Sequence, residues 1–169
     1  MSLQRLCRWL GGVLVAFLLL VFALHKDAQI QTDIWIERPS ADVWQILTAT
    51  DQYPSWNPFI HRLRGQLHPG SRIEVEIGPP DSNPMSFRPI VITVQEDREI
   101  RWHGSLWIRG LFDGEHSFLL ESVGGRTHLF QAERFSGLLV GRLSDGILSK
   151  TQRGFAAMNE AVKERAESR

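Results

Sequence analysis

The sequence predicts an α+β fold: an antiparallel sheet packed against a long C-terminal helix, preceded by an apolar N-terminal anchor. Three observations predict it. The first two dozen residues hold a charge-free apolar run, the middle is a series of period-two segments separated by turn signals, and the end carries one helical apolar stripe. With 169 residues there is room for one domain and an appendage. The expected division is an anchor over residues 1–28 and a folded domain over 29–169.

Trp9 to Leu24 reads WLGGVLVAFLLLVFAL. At ~1.5 Å per residue this is roughly 24 Å of helix, and about 28 Å counted from Leu6, just enough to span a bilayer if Arg8 and Lys26 snorkel toward the headgroups. Arg5 and Arg8 precede the run, and Lys26 is followed directly by Asp27. That bias favours a single-pass protein with a cytoplasmic N-terminus and the domain on the opposite side. A cleaved signal peptide is the rival reading, with Val21-Phe22-Ala23 as the processing site. The apolar run enters that site without a break and exceeds a usual signal core, so the anchor is preferred.

From Gln29 the period becomes two. Ile30, Thr32, Ile34 and Ile36 share one face, as in a strand buried on one side. Arg38-Pro39 ends it, Ser40 suits an N-cap, and Val43, Ile46 and Leu47 follow at helical spacing. Asp51 to Phe59 contains Pro54 and Pro58 and reads as a short helical turn with an aromatic loop. Strands are then expected over 61–67, 71–77, 86–95, 99–108, 113–121 and 127–135, with a loop at 79–84 and tight turns near Asp97-Arg98 and Gly124-Gly125. After Gly137, Leu143, Ile147, Thr151, Phe155, Met158 and Val162 form the stripe of a helix of about 25 residues.

Composition removes several function classes. Nineteen basic and nineteen acidic side chains balance, without the basic excess that nucleic-acid binding needs. The one cysteine, Cys7, lies in the leader, so the domain has no disulfide, thiolate ligand or thiol nucleophile. The six histidines are scattered without ligand spacing, no Gly-x-Ser-x-Gly elbow occurs, and no glycine-rich phosphate loop is present. No metal and no cofactor is expected.

Several strings, in order, resemble the SRPBCC or START-like family, which includes polyketide cyclase/dehydrase-like and lipid-transport proteins. They are Pro39-Ser40-Ala41-Asp42-Val43-Trp44, Tyr53-Pro54-Ser55-Trp56-Asn57-Pro58, Arg101-Trp102, Phe112 to Phe118, Glu133 to Leu138, and Gly154 to Asn159. The resemblance implies a helix-grip fold: a curved antiparallel sheet of about seven strands around the C-terminal helix, with two short helices after the first strand. It also implies a cavity between sheet and helix that holds a small apolar or lipid-like molecule. It fixes no single chemistry.

Strand parity sets His116, Phe118 and Leu120 inward, and likewise Thr127, Leu129, Gln131, Glu133 and Phe135. The turn offset places His116 opposite Glu133. Such a pair either meets a polar group of the ligand, as acid and base in an enzyme, or fixes the hairpin register. Trp56, Phe59, Trp102, Phe118, Phe155 and Met158 are candidate pocket residues, with Asn57 and Asn159 as polar companions. The expected function is membrane-tethered binding of an apolar ligand. The alternatives are a cyclase or dehydratase using His116 and Glu133, or a membrane-associated interaction protein. The sequence does not set the oligomeric state.

Overall fold

A computed structural model describes residues 9–13, 16, 21, 23–78, 84–106, 108–142 and 145–168. Among these, eight strands form two sheets joined at one edge. The strands are β1 (Lys26–Ile36), β2 (Ile60–Arg64), β3 (Glu74–Ile77), β4 (Met85–Phe87), β5 (Ile90–Gln95), β6 (Glu99–Ser105), β7 (Asp113–Val123) and β8 (Arg126–Gly137). Helix α1 (Ser40–Thr48) and a 3-10 turn (Thr50–Ser55) follow β1, and α2 (Asp145–Glu167) ends the chain. The larger sheet runs β1-β8-β7-β6-β5 and the smaller β2-β3-β4, every pairing antiparallel.

The expected meander is present, but the expected single sheet of about seven strands is eight strands divided between a five-stranded and a three-stranded sheet. The segment 86–95 is two strands rather than one, because Pro89 has no N–H to continue a ladder. The sheets meet at that break: the Ile73 N–H donates to the Pro89 carbonyl at 3.0 Å, and Arg72 bridges Ile90. The expected strand 61–67 stops at Arg64, where Gly65 turns at φ 111°. The Gly124-Gly125 hairpin turn forms as expected, with φ of 60° and 81° in a two-residue loop. Most of the expected loop at 79–84 lies outside the described residues.

Ser40 is not the N-cap. Pro39 takes that place with extended backbone, and its carbonyl accepts from the Asp42 and Val43 N–H groups. The proline ring already fixes the entry angle, so a capping side chain is not needed. Helix α1 buries Val43, Ile46 and Leu47. The following turn is pinned by Tyr53, whose hydroxyl donates to the Leu47 carbonyl at 2.6 Å. Burial pushes this phenol far above its ordinary value. Its folded pKa is raised, so its contribution is complete below the unfolded value of about 10 and falls away as pH rises beyond it. Tyr53→Phe is therefore expected to lose ~1–3 kcal/mol at neutral pH, the cost of the orphaned carbonyl. In the alkaline range the wild type should lose stability more steeply than the variant, by up to ~1.4 kcal/mol per pH unit. Urea melts of both proteins at pH 7 and above 10 check this; parallel curves would refute it.

Helix α2 lies across β1, burying Phe155, Met158, Asn159, Val162 and Ala166 at helical spacing. Polar ties fix its C-terminal half: Asn159 Nδ2 donates to Thr32 Oγ1 at 3.0 Å, and Lys163 Nζ to the Trp35 carbonyl at 2.9 Å. The stripe's first half behaves differently. Ile147 is 42 % exposed and Thr151 only partly covered, because the helix there overhangs a cavity; Leu143 lies outside the described residues.

The expected anchor also falls largely outside the described residues. Its described helical residues, 9–13, 16, 21 and 23–24, are exposed apart from the half-buried Val21, and its last three, Lys26 to Ala28, already belong to β1. Among the described residues no helix is long and apolar enough to cross a membrane, so the fold lends the anchor no support.

Candidate functional site

The cavity, about 120 Å³, lies between the two sheets and the N-terminal half of α2. Val75, Ile77, Met85 and Phe87 line it from the small sheet, Trp102, His116, Glu133 and Phe135 from the large one, and Ile147, Thr151 and Phe155 from the helix. Phe59, just before β2, closes one side. Its ring fits the notch left by the missing side chain of Gly154 and meets Phe155 edge-on at 5.3 Å. Among the described residues the wall is overwhelmingly apolar, and the His116–Glu133 pair is its ionisable feature.

His116 and Glu133 are direct cross-strand partners, as parity requires. His116 Nδ1–H donates to Glu133 Oε2 at 2.8 Å. The imidazole is sandwiched: Trp102 stacks on it at 4.6 Å with planes 9° apart, and Phe118 and Phe155 meet it edge-on at 4.8 and 5.0 Å. Its other nitrogen, Nε2, faces the Gln131 amide at 3.4 Å, and that amide also donates to Met158 Sδ. Both ring nitrogens are thus engaged by protein.

The two partners differ in access. The Glu133 side chain is 17 % exposed against 5 % for His116. Oε2 is taken by the imidazole, and Oε1 lies over the backbone of Gly114, where any Cβ would collide with it. Glu133 is thus the more accessible member of the pair, and His116 holds its carboxylate in place. In proton transfer, Glu133 would be the group in contact and His116 the positioning residue.

Of the ten residues expected at the site, Phe59, Trp102, His116, Glu133 and Phe155 come together in the cavity wall. The other five lie elsewhere. Phe118, 1 % exposed, packs behind Trp102 and His116, and Met158 is sealed beneath Gln131. Trp56 meets Tyr53 edge-on, with the Arg165 guanidinium over its ring. Asn57 accepts from the backbone of Phe59 and Ile60, and Asn159 bonds Thr32. Helical spacing puts Met158 and Asn159 beside Phe155 in sequence, yet the cavity ends one turn before them. Sequence reading missed the small-sheet wall and Gly114. For Gly114 a signal existed: glycine inside a strand marks a close approach by another group.

A curved antiparallel sheet gripping a C-terminal helix over an apolar cavity defines the helix-grip class. Residues 27–167 match the family described as polyketide cyclase / dehydrase and lipid transport. The chain belongs to that family. No curated protein sequence matches it. Among solved structures it is similar to Ara h 8.0201, with 14% identity, a TM-score of 0.66, and 85% of this chain and 100% of that one covered. It is also similar to the ZhuI aromatase/cyclase from Streptomyces sp. R1128, with 14% identity, a TM-score of 0.65, and 84% and 94% covered. A third is norcoclaurine synthase from Thalictrum flavum in complex with dopamine and hydroxybenzaldehyde, with 11% identity, a TM-score of 0.62, and 88% and 91% covered. At these identities the likeness extends to the fold alone.

Proposed function

We propose that this protein binds a small apolar or lipid-like molecule in the cavity between the sheets and α2, and that its leader tethers it to a membrane. The cavity carries the reading: an apolar wall with one anchored carboxylate suits an apolar body bearing a hydrogen-bond donor. That one structural neighbour was solved with dopamine and hydroxybenzaldehyde supports ligands of that size and polarity. The tether rests on the charge-free run Trp9 to Leu24 and the arginines before it, which favour a single-pass topology with the domain opposite a cytoplasmic N-terminus. Apolar ligands partition into membranes, so a tether shortens their path to the cavity.

Organic extraction and mass spectrometry of the detergent-purified chain test the reading, together with titration of an ANS-type dye. A co-purifying apolar molecule, or dye binding that this molecule displaces, is the expected result. An empty protein that binds no dye would overturn it. Glu133→Gln and His116→Ala are expected to weaken binding about tenfold or more, the equivalent of one ~1.4 kcal/mol contact. Unchanged affinity with a lowered melting temperature would reduce the pair to a register-fixing role.

A second reading follows from the 2.8 Å His116–Glu133 contact, which resembles a carboxylate set up for proton transfer. A cyclase or dehydratase would show turnover of an enolisable substrate that Glu133→Gln abolishes while binding persists. The neighbouring aromatase/cyclase supports testing polyketide-like substrates first.

A further inference from the structure

We propose that the rim of the cavity is a bilayer-docking surface, so that the cavity opens directly against lipid carrying anionic headgroups. The inference rests on the ligand and tether reading above and adds which face of the domain meets the membrane.

Three elements bring exposed apolar side chains to this rim. Met85 on β4 and Ile147 at the start of α2 line the cavity while remaining 53 % and 42 % exposed. Leu106, in the β6–β7 loop, lines it too, and two residues beyond it Ile108 is 66 % exposed. Outside the leader, Ile108 is the most exposed large apolar side chain among the described residues. Its loop is held in shape: the Ile108 N–H donates to the Leu106 carbonyl at 3.0 Å, and Asp113 Oδ2 accepts from the Gly110 N–H at 3.0 Å. Apolar residues gathered around one opening suit a contact surface better than scattered exposure does.

The apolar leader enters the domain at this same end. Lys26, the first residue of β1, pairs with Gly137 at the end of β8. The next two residues bind the Ile108 loop, Leu138 N–H to the Gly110 carbonyl at 3.1 Å and Leu139 N–H to that of Leu111 at 2.9 Å. A leader seated in a bilayer therefore holds the rim against the surface. Charge agrees with that occupant. Arg109 follows Ile108, and Lys150 lies one turn beyond Ile147; both are exposed, and basic groups flanking apolar ones suit an anionic interface. The nearby Asp113 carboxylate is buried, and Asp27 faces Arg134 at 3.8 Å.

The far end of β7 supplies an internal control. Val123, the last residue of β7, is 46 % exposed and lies ten residues along the strand from Asp113, so roughly 33 Å from the rim. In the full chain carrying Cys7→Ser, single cysteines are placed at Ile108→Cys or Val123→Cys and labelled with the fluorophore NBD. A third sample is labelled at the native Cys7. All are reconstituted in phosphatidylcholine vesicles containing phosphatidylglycerol, with and without lipids brominated along the acyl chain. The expected result is a several-fold brighter label at 108 that brominated lipid quenches, beside a label at 123 that it leaves unchanged. An unquenched label at 108 with a quenched Cys7 overturns the docking surface and leaves the tether standing. Quenching at 108 without quenching at Cys7 upholds the docking surface and removes the tether. Brightening at 108 without bromolipid quenching means that a protein or a second copy covers the rim, which overturns the proposal.

Discussion

Asn57→Ala is expected to destabilise the ligand-free protein by several kcal/mol. Asn57 is 6 % exposed, and its Oδ1 accepts from two backbone donors, the Phe59 N–H at 3.0 Å and the Ile60 N–H at 2.8 Å. Both belong to buried residues at the entry to β2, where the chain leaves the 3-10 turn and these two N–H groups turn to the Asn57 side chain. Removing the acceptor orphans two buried N–H groups, each at ~1–3 kcal/mol, so a total of roughly 2–6 kcal/mol follows. Against a net stability of about 5–15 kcal/mol this is a large fraction. The site is affected as well, because Phe59 is both the orphaned residue and the ring that closes the cavity beside Gly154. Asn57→Asp keeps the acceptor and should recover a large part of the loss, less the cost of burying its charge. Urea denaturation followed by tryptophan fluorescence reads both variants. An alanine variant within about 0.5 kcal/mol of wild type would show that these donors find other partners.

Asn57 also shows where the sequence was legible. Its place beside Trp56, Pro58 and Phe59 made it a candidate ligand group, but in the string Tyr53 to Phe59 it is a buried side chain that serves the backbone of the turn. Nothing in the residue types separates those roles, since an asparagine before a proline suits both. Period-two alternation did fix more than strand existence. It set the inner face of β8 and, through the two-residue Gly124-Gly125 turn, the pairing of His116 with Glu133. Register is transferable from sequence when a hairpin is tight, because the loop leaves no slack. The small sheet resisted for the opposite reason. β2, β3 and β4 have five, four and three residues, too short for alternation to show, and Pro89 concealed a junction inside one apparent strand. Helical periodicity likewise located the apolar stripe of α2 without saying where core gives way to cavity. That boundary depends on how far the small sheet reaches beneath the helix, which is a property of tertiary packing.

Gly114→Ala is expected to dislodge the carboxylate on which the proposed site depends. A Cβ at Gly114 would overlap Glu133 Oε1 and stand 3.6 Å from Glu133 Cδ, with Phe135 Cδ1 behind it at 4.0 Å. The backbone there pairs with both β6 and β8 and has little freedom to retreat, so the carboxylate must rotate away. That breaks the 2.8 Å bond to His116 Nδ1 and leaves a donor unpaired on a ring that is 5 % exposed. Losing a charge-assisted hydrogen bond costs ~1.5–3 kcal/mol, and replacing a strand glycine returns ~0.5–1 kcal/mol, so a net loss of about 1–2 kcal/mol remains. Ligand affinity should fall about tenfold or more, as for Glu133→Gln, because the Glu133 carboxylate is no longer where the cavity presents it. Gly104→Ala is the matched control: it lines the same cavity, but its Cβ would meet only Pro89, at 3.2 Å or beyond, and the carboxylate stays in place. The double-mutant cycle is the sharper test. In a Glu133→Ala background the obstruction is gone, so adding Gly114→Ala should cost less than about 0.5 kcal/mol. An equal cost in both backgrounds would mean that strand geometry, not the carboxylate, requires glycine at this position, and the site would then lack its proposed anchor.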